Sequence, residues 1–321
     1  MSVLGYFISE EEGIIIKDYV CVIGGANLDI CATPYNNLIA EDSNPGKIKT
    51  SFGGVGRNIA ENLTKLGIQV ELITALADDL HSENLILDCK KKNIGISNSL
   101  YLSESKTSTY ICINNENGNM NVAISDMDIM EQITPSFLNT KMDVINNAKA
   151  CVVDANIPEK TLHYLLDACN VPIFLDTVSV NKCQKLKNKL SSVHTIKPNL
   201  AEAELLSVMK IKNTQNLRKA AYAFFEQGIK QIFISMASSG VFYSDGKEFG
   251  ILPCIRKNVI NTNGAGDCFT AALVYAFLNN MTLKDTAKFA QAAAAICVTS
   301  ELAVSEKLSL ERINLLLNTE E

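Results

Sequence analysis

A chain of 321 residues, 47% hydrophobic and 20% charged, holds the material for a substantial core, which excludes a disordered or low-complexity protein. Its 29 basic and 35 acidic residues leave a net charge of −6 with no dense basic block, which argues against nucleic acid or an anionic membrane as a partner. No apolar stretch is long enough to span a bilayer, and the ten cysteines contain no C-x-x-C pair, so a reducing compartment is expected. Residues 1–18 read as a short N-terminal extension with neither a basic n-region nor an Arg-rich transit pattern, which predicts a cytoplasmic protein.

In chain order, residues 19–24 form a continuous apolar run, predicting a strand buried on both faces of a parallel sheet. It ends in Gly25-Ala-Asn27-Leu-Asp29. Ligands of open α/β sheets bind beyond the carboxyl ends of strands, and residues two apart on extended chain share a side. Asn27 and Asp29 therefore suit a diol; an Asx turn closing the strand is the plainer alternative. Residues 31–52 carry Pro34 and Ser43-Asn-Pro-Gly46 before an alternating stretch, which predicts an excursion from the sheet. Gly53-Gly54-Val-Gly56 then opens a helix with Ile59, Leu63 and Leu66 at helical spacing and Gly67 as its stop. The glycines let a ligand approach the backbone, but their spacing departs from the dinucleotide fingerprint.

A strand over 70–76 and a helix over 79–93 complete a βα unit and point to a doubly wound sheet. A second excursion, residues 99–128, holds a hairpin signal, with strands over 107–113 and 120–124 around a turn at 114–118. The two excursions together predict a small lid that would exclude water.

The βα rhythm resumes with apolar strands over 150–154, 172–176 and 193–196. Asn199 and Glu202 have the spacing of a capping box; alternatively they order water around a metal-bound triphosphate. A strand over 231–235 and a hairpin over 240–252 lead to Asn261-Thr-Asn-Gly-Ala-Gly-Asp267 and a long apolar run over 268–278. Small residues opening a helix make an anion cradle. A carboxylate there repels phosphate unless it has another task, such as taking the proton of an attacking hydroxyl. The plainer alternative is that Asp267 caps the helix. His81, His163 and His194 show no metal spacing, and no G-x-S-x-G elbow is present.

Three motifs in this order, Gly53-Gly54-x-x-x-Asn58-x-Ala60, Asn199-x-x-Glu202 and Gly264-Ala-Gly-Asp267, resemble the ribokinase-like (PfkB) carbohydrate and nucleoside kinases, over residues 19–321. The resemblance implies one α/β domain, a doubly wound, mostly parallel sheet with helices on both faces and a small β-sheet lid. It also implies transfer of the γ-phosphoryl group of ATP to a primary sugar hydroxyl. By the same resemblance Asp267 is the base, while Gly264, Ala265 and Gly266 donate N–H groups to the transferring phosphoryl. Asn27, Asp29, Gly53, Gly54 and Asn58 hold the sugar. Asn199 and Glu202 organise Mg2+ through water, and Ser235, Ala237, Gly240 and Gln291 meet the nucleotide, with Ala237 standing where the family's usual residue is Gly. Asn261 replaces the usual Asp at a position tied to a monovalent cation, which weakens the case for K+ activation.

Within the family the details most resemble pseudouridine kinases, among them Asn44-Pro-Gly46, Ser125-Asp-Met127 and Asp176-Thr-Val-Ser-Val180. The implied reaction phosphorylates the 5′-hydroxyl of pseudouridine, with Thr109, Ser125 and Asp126 as candidates for reading the base. The alternatives are another ribonucleoside or a ribose-like sugar as acceptor, or a catalytically silent binding protein, against which the complete loop before Asp267 argues. Family lids often pair across a dimer, so the resemblance leaves open a homodimer through the lid.

Overall fold

The computed structural model describes residues 18–117, 120–187, 189–255 and 257–319. Of the expected N-terminal extension only Asp18 lies among them, and the turn expected at 114–118 is described as far as Asn117. From the N-terminal side, β1 (Tyr19–Ile23) leads to β2 (Asn27–Pro34), β3 (Gly46–Gly53), α1 (Val55–Lys65), β4 (Gln69–Ile73), β5 (Ala75–Ala77) and α2 (Leu80–Lys91). Next come β6 (Ile94–Gly95), β7 (Leu100–Leu102), β8 (Thr109–Asn114), β9 (Met120–Asp126), α3 (Pro135–Asn139), α4 (Met142–Asn146), β10 (Ala150–Asp154) and α5 (Glu159–Ala168). Then β11 (Ile173–Asp176), β12 (Val193–Lys197), α6 (Leu200–Ser207), α7 (Thr214–Glu226), β13 (Gln231–Ser235), β14 (Val241–Ser244) and β15 (Phe249–Leu252) precede α8 (Ala265–Leu278), α9 (Leu283–Cys297) and α10 (Leu310–Thr319).

Nine strands form the main sheet in the order β15-β14-β13-β12-β11-β10-β1-β4-β6, parallel except for the β13-β14-β15 edge. Successive residues of a strand face opposite sides. In β1, Val20 and Val22 therefore enter one core with α1, α8 and α9, while Cys21 and Ile23 enter the other with α5, α6 and α7. Burial on both faces is why these strands read as unbroken apolar runs. Helix α8 is apolar all round because it packs between α1 and α9. Burying each of its larger side chains, such as Leu273 or Phe269, contributes about 1.5–3 kcal/mol. Among the described residues no helix is long and apolar enough to cross a membrane.

The chain leaves β1 towards β4 and β6 and later returns to β10 on its other side. That reversal makes a crevice at the carboxyl ends of β1 and β10, the place where open α/β sheets bind ligands.

Two segments differ from the sequence expectation. The strand expected over 70–76 splits at Thr74, whose N–H donates to the Ser99 hydroxyl at 3.1 Å. β4 stays in the main sheet, whereas β5 pairs with β7 in a separate two-stranded sheet. Residues 100–102, expected in the second excursion, consequently lie outside the lid. The lid is the four-stranded sheet β3-β2-β8-β9, and it begins at Asn27 rather than near residue 31. Pairing of Asn27 with Gly53 and of Asp29 with Ser51 draws these residues into a strand, in place of an Asx turn.

Candidate active site

Three neighbouring strands stop at one level in the crevice. Asp154 pairs with Asp176, and Asp176 with Lys197; residues paired in a ladder share a face. Alternation puts that face with Val152 and Phe174, on the side of the core that holds α8. Helix α8 starts there, so Asp267 in its first turn meets this row of charges. Asp267 is 9% exposed and accepts a hydrogen bond from Nδ2 of Asn58 at 2.9 Å. Burial pushes its carboxyl up to about 7; Asp176 adds to the rise, Asn58 and Lys197 oppose it, and Asp154 adds again.

Asp176 is fixed from several sides. The Thr270 hydroxyl, one turn beyond Asp267, donates to it at 2.7 Å, Lys197 Nζ lies 3.5 Å away, and the Val178 N–H donates at 2.9 Å. Val178 has φ 63°, a conformation costly for a β-branched residue, and strain of this kind is found at sites where the surroundings over-determine the backbone. Asp154 accepts N–H bonds from Gly25 and Asn156, each at 2.8 Å. Its carboxyl is pushed up to about 6 by burial, against the pull of those two donors.

The anion cradle is built from backbone. Gly264 has φ 78°, and a Cβ there would run into the Ala303 carbonyl, so only glycine fits. No side chain caps α8. A Cβ on Gly266 would sit 3.3 Å from the Lys197 ammonium. A helix start free of a side-chain cap beside a buried cation is a fit for phosphate, and Ala265 lies between the two glycines in the same turn.

On the other side of Asp267, α1 begins at Gly54 with φ 95°. A side chain there would strike the Gly25 carbonyl, and one on Gly56 would lie 2.8 Å from the Gly24 carbonyl carbon. The turn after β1 and the start of α1 thus touch backbone to backbone, and the Arg57 N–H donates to the Gly25 carbonyl at 3.1 Å. Asn27 Nδ2 donates to Asp29 at 2.5 Å, and the Asp29 carboxylate lies over Gly53, where a Cβ would overlap it. Burial raises Asp29 to about 6, opposed by the Asn27 bond and the charge of Arg57. Of these residues Asn58 touches Asp267 directly, while Asn27, Asp29 and Gly53 meet one another at the root of the lid and Gly54 packs on Gly25.

The three candidates for reading a base are not gathered. Register puts Ser125 opposite Tyr110, and Tyr110 beside Asp29, so Ser125 shares the Asp29 face of the lid. Thr109 and Asp126 pair with each other, and Thr109 with Leu28, so both belong to the opposite face. That face also carries the exposed Ile48, Ile111, Ile113, Val122 and Ile124.

Asn199 and Glu202 do form a capping box: Asn199 accepts from the Glu202 N–H and its own N–H donates to Glu202, both at 2.9 Å. Glu202 also accepts from Asn199 Nδ2 at 2.7 Å and from the Thr177 hydroxyl at 2.6 Å. Both carboxylate oxygens are thus engaged. Among the described residues no group of three His, Cys, Asp or Glu side chains could hold a metal. Mg2+ on phosphate oxygens keeps several waters and needs few protein ligands, so the donor set fits an ion held through water and not a protein cage. Ser235 ends β13, its N–H donating to the Pro198 carbonyl at 2.9 Å. In the following turn Ala237 has φ 49° and Gly240 φ 97°. Gly240 abuts the Leu252 carbonyl, to which Gln291 Nε2 donates at 3.2 Å, so these two meet at one place. Asn261 donates to the Glu301 carbonyl at 3.0 Å and accepts from the Asn263 N–H at 2.9 Å.

Sequence reasoning gave no role to Asp154, Asp176 or Lys197. Each closes an apolar strand with a charged residue, and Asp176 also opens one of the motifs quoted for the resemblance, but their alignment needs the register.

The family model for pfkB family carbohydrate kinases matches residues 17–308. The pseudouridine kinase of Escherichia coli strain K12 is 38% identical over 299 residues, covering 92% of this chain and 96% of that protein. The uncharacterized sugar kinase YeiI of the same strain is 36% identical over 295 residues, covering 91% and 80%. A carbohydrate kinase from Agrobacterium tumefaciens superposes with a TM-score of 0.83 at 28% identity, over 94% of this chain and 97% of that one.

Proposed function

The chain belongs to the pfkB family of carbohydrate kinases, and from that premise we propose that it transfers the γ-phosphoryl group of ATP to the 5′-hydroxyl of pseudouridine, giving pseudouridine 5′-phosphate and ADP. Asp267 carries this reading. It is a buried carboxylate beside an anion cradle, raised to about 7, and a base is most effective when its proton affinity matches the working pH. Asp267 takes the 5′-hydroxyl proton as that oxygen bonds to the γ-phosphorus. The bond from phosphorus to the β,γ-bridging oxygen breaks, and its electrons leave with ADP. N–H groups of Gly264, Ala265 and Gly266, with the Lys197 ammonium, stabilise the charge spread over the phosphoryl oxygens. Mg2+, held through water by Asn199 and Glu202, neutralises triphosphate charge when bound. Ser235, Ala237, Gly240 and Gln291 line the nucleotide side.

Asn27, Asp29, Gly53, Gly54 and Asn58 hold the ribose, and Ser125 on the Asp29 face reads the base. Asn261 already engages its amide with Glu301 and Asn263, which adds to the case against K+ activation. The exposed apolar face of the lid supports a homodimer formed through it, and the protein is proposed to act in the cytoplasm. Pseudouridine as acceptor draws support from the 38% identical pseudouridine kinase. Another ribonucleoside or a ribose-like sugar is favoured instead by the lid register, which leaves Thr109 and Asp126 away from the Asp29 face. ATP consumption with Mg2+ tests the choice, comparing pseudouridine, uridine, adenosine and ribose at equal concentration. A strong preference for pseudouridine is expected. Preference for another acceptor discards the base assignment and keeps the mechanism, and no turnover with any of them overturns both in favour of a silent binding protein.

A further inference from the structure

Arg57 lies in the first turn of α1 and is 1% exposed. One arm of its guanidinium, Nη2, is held by Glu61 at 2.9 Å and Asp88 at 2.5 Å. Lys92 completes a group of two cations and two anions by bridging the same carboxylates at 2.9 and 3.3 Å. The other arm, Nη1, donates to Oδ1 of Asn58 at 3.3 Å, and Nδ2 of Asn58 donates to Asp267 at 2.9 Å. An asparagine amide has one accepting end and one donating end. Between a guanidinium and a carboxylate, a single orientation satisfies both neighbours; the reversed amide would set its oxygen against Asp267 and its NH2 group against the cation.

We propose that Arg57 is a positioning residue for phosphoryl transfer: by fixing the amide of Asn58 it keeps a hydrogen-bond donor on Asp267 and holds that carboxylate in its proton-accepting form. The inference rests on the reading of Asp267 as the base. The other ionisable groups facing Asp267 are Asp176 of β11, Asp154 of β10 and Lys197 of β12, together with the Cys268 and Cys297 thiols. Arg57 also opposes the rise of Asp29, but lysine keeps that charge, and Asp29 is read through KM, so a shift in the kcat limb of Arg57→Lys reports on the Asn58 link. The cluster also borders an open cavity of about 1290 Å³, lined by Arg57 itself with Leu28, Phe52, Glu61 and Asp88, which leaves space for a replaced side chain to settle.

Arg57→Lys is the discriminating variant. Lysine keeps the charge that Glu61 and Asp88 require but brings one nitrogen in place of a fork, so it cannot serve those carboxylates and Asn58 together. With the best acceptor from the ATP assay, the acid limb of the kcat profile should move upward on the order of one pH unit. Turnover at about pH 6 should then fall roughly tenfold and converge on the parent's at alkaline pH. Asp88→Asn removes one anchor of the guanidinium at a position whose side chain is 24% exposed, and should move the limb the same way by less. A purely structural role would lower Tm and the plateau while leaving the limb in place. An unmoved acid limb in each folded variant overturns the proposal. Full turnover in Asp267→Asn would instead remove the base assignment, whatever the Arg57 variants do.

Discussion

Replacing Asp267 by asparagine should separate the demands of chemistry from those of folding. The carboxyl is raised from 3.8 to about 7 on folding. Taken at 1.36 kcal/mol per pH unit, keeping it ionised in the folded protein costs about 4 kcal/mol at pH values above 7. Its folded affinity lies above the unfolded one, so the folded state binds the extra proton between about pH 4 and 7. The corresponding stability is fully present below pH 4 and is lost as pH rises through 7. Asp29 and Asp154, each raised to about 6, act in the same direction over a narrower window. Asparagine has almost the same shape, carries no charge at any of these pH values, and still offers an oxygen to Asn58. At about pH 8 the ligand-free variant should be more stable by about 4 kcal/mol, or about 6 °C in Tm for a chain of this length. The advantage should vanish near pH 4, and turnover should fall about 10³-fold. Thermal unfolding at three pH values alongside the ATP assay reads both. A variant melting at or below the parent at pH 8, or an offset that does not change with pH, would refute the reasoning.

Three further outcomes are expected. Asp29→Ala should raise KM for the nucleoside roughly 10- to 100-fold, the size of a lost hydrogen bond to a charged group, with a smaller effect on kcat; steady-state kinetics check this, and an unchanged KM removes Asp29 from the site. Ala237→Gly should stabilise the protein by about 0.5–1 kcal/mol in urea denaturation, because the alanine is held at φ 49°; a loss of stability contradicts the strain argument. Ile124→Lys, on the exposed apolar face of the lid, should convert a dimeric parent to a monomer in analytical ultracentrifugation, and a monomeric parent sinks the proposed lid contact.

The buried strands and the loop before Asp267 were legible in the sequence because each leaves a local trace. Strands covered on both faces give apolar runs such as 150–154, and a cradle made from backbone requires Gly264 and Gly266 close to the helix start. What stayed hidden depends on partners distant in the chain. Asp154, Asp176 and Lys197 each end a different strand, and only the ladder sets them side by side. The break at Thr74 is made by Ser99, and the amide of Asn58 is oriented between Arg57 and Asp267. Alternation along 107–113 and 120–124 announced a hairpin, but which side of it faced the site followed from the pairing of β8 with β2. Asn199 and Glu202 show the converse: the motif was plain, and the capping box it spells is present whatever else the two residues do.

The contact of Gly54 and Gly56 with Gly24 and Gly25 has a bearing on how such a chain can change. It bolts the root of the lid to the first helix without the slack that side chains would provide, so the backbone tolerates neither insertion nor added bulk there. The far ends of β8 and β9 lie outside that joint and are largely solvent-facing. The molecule is thereby divided into a rigid joint and a freer visor: substitutions in the outer lid can change the shape and polarity of its surface while the backbone contact below keeps its alignment.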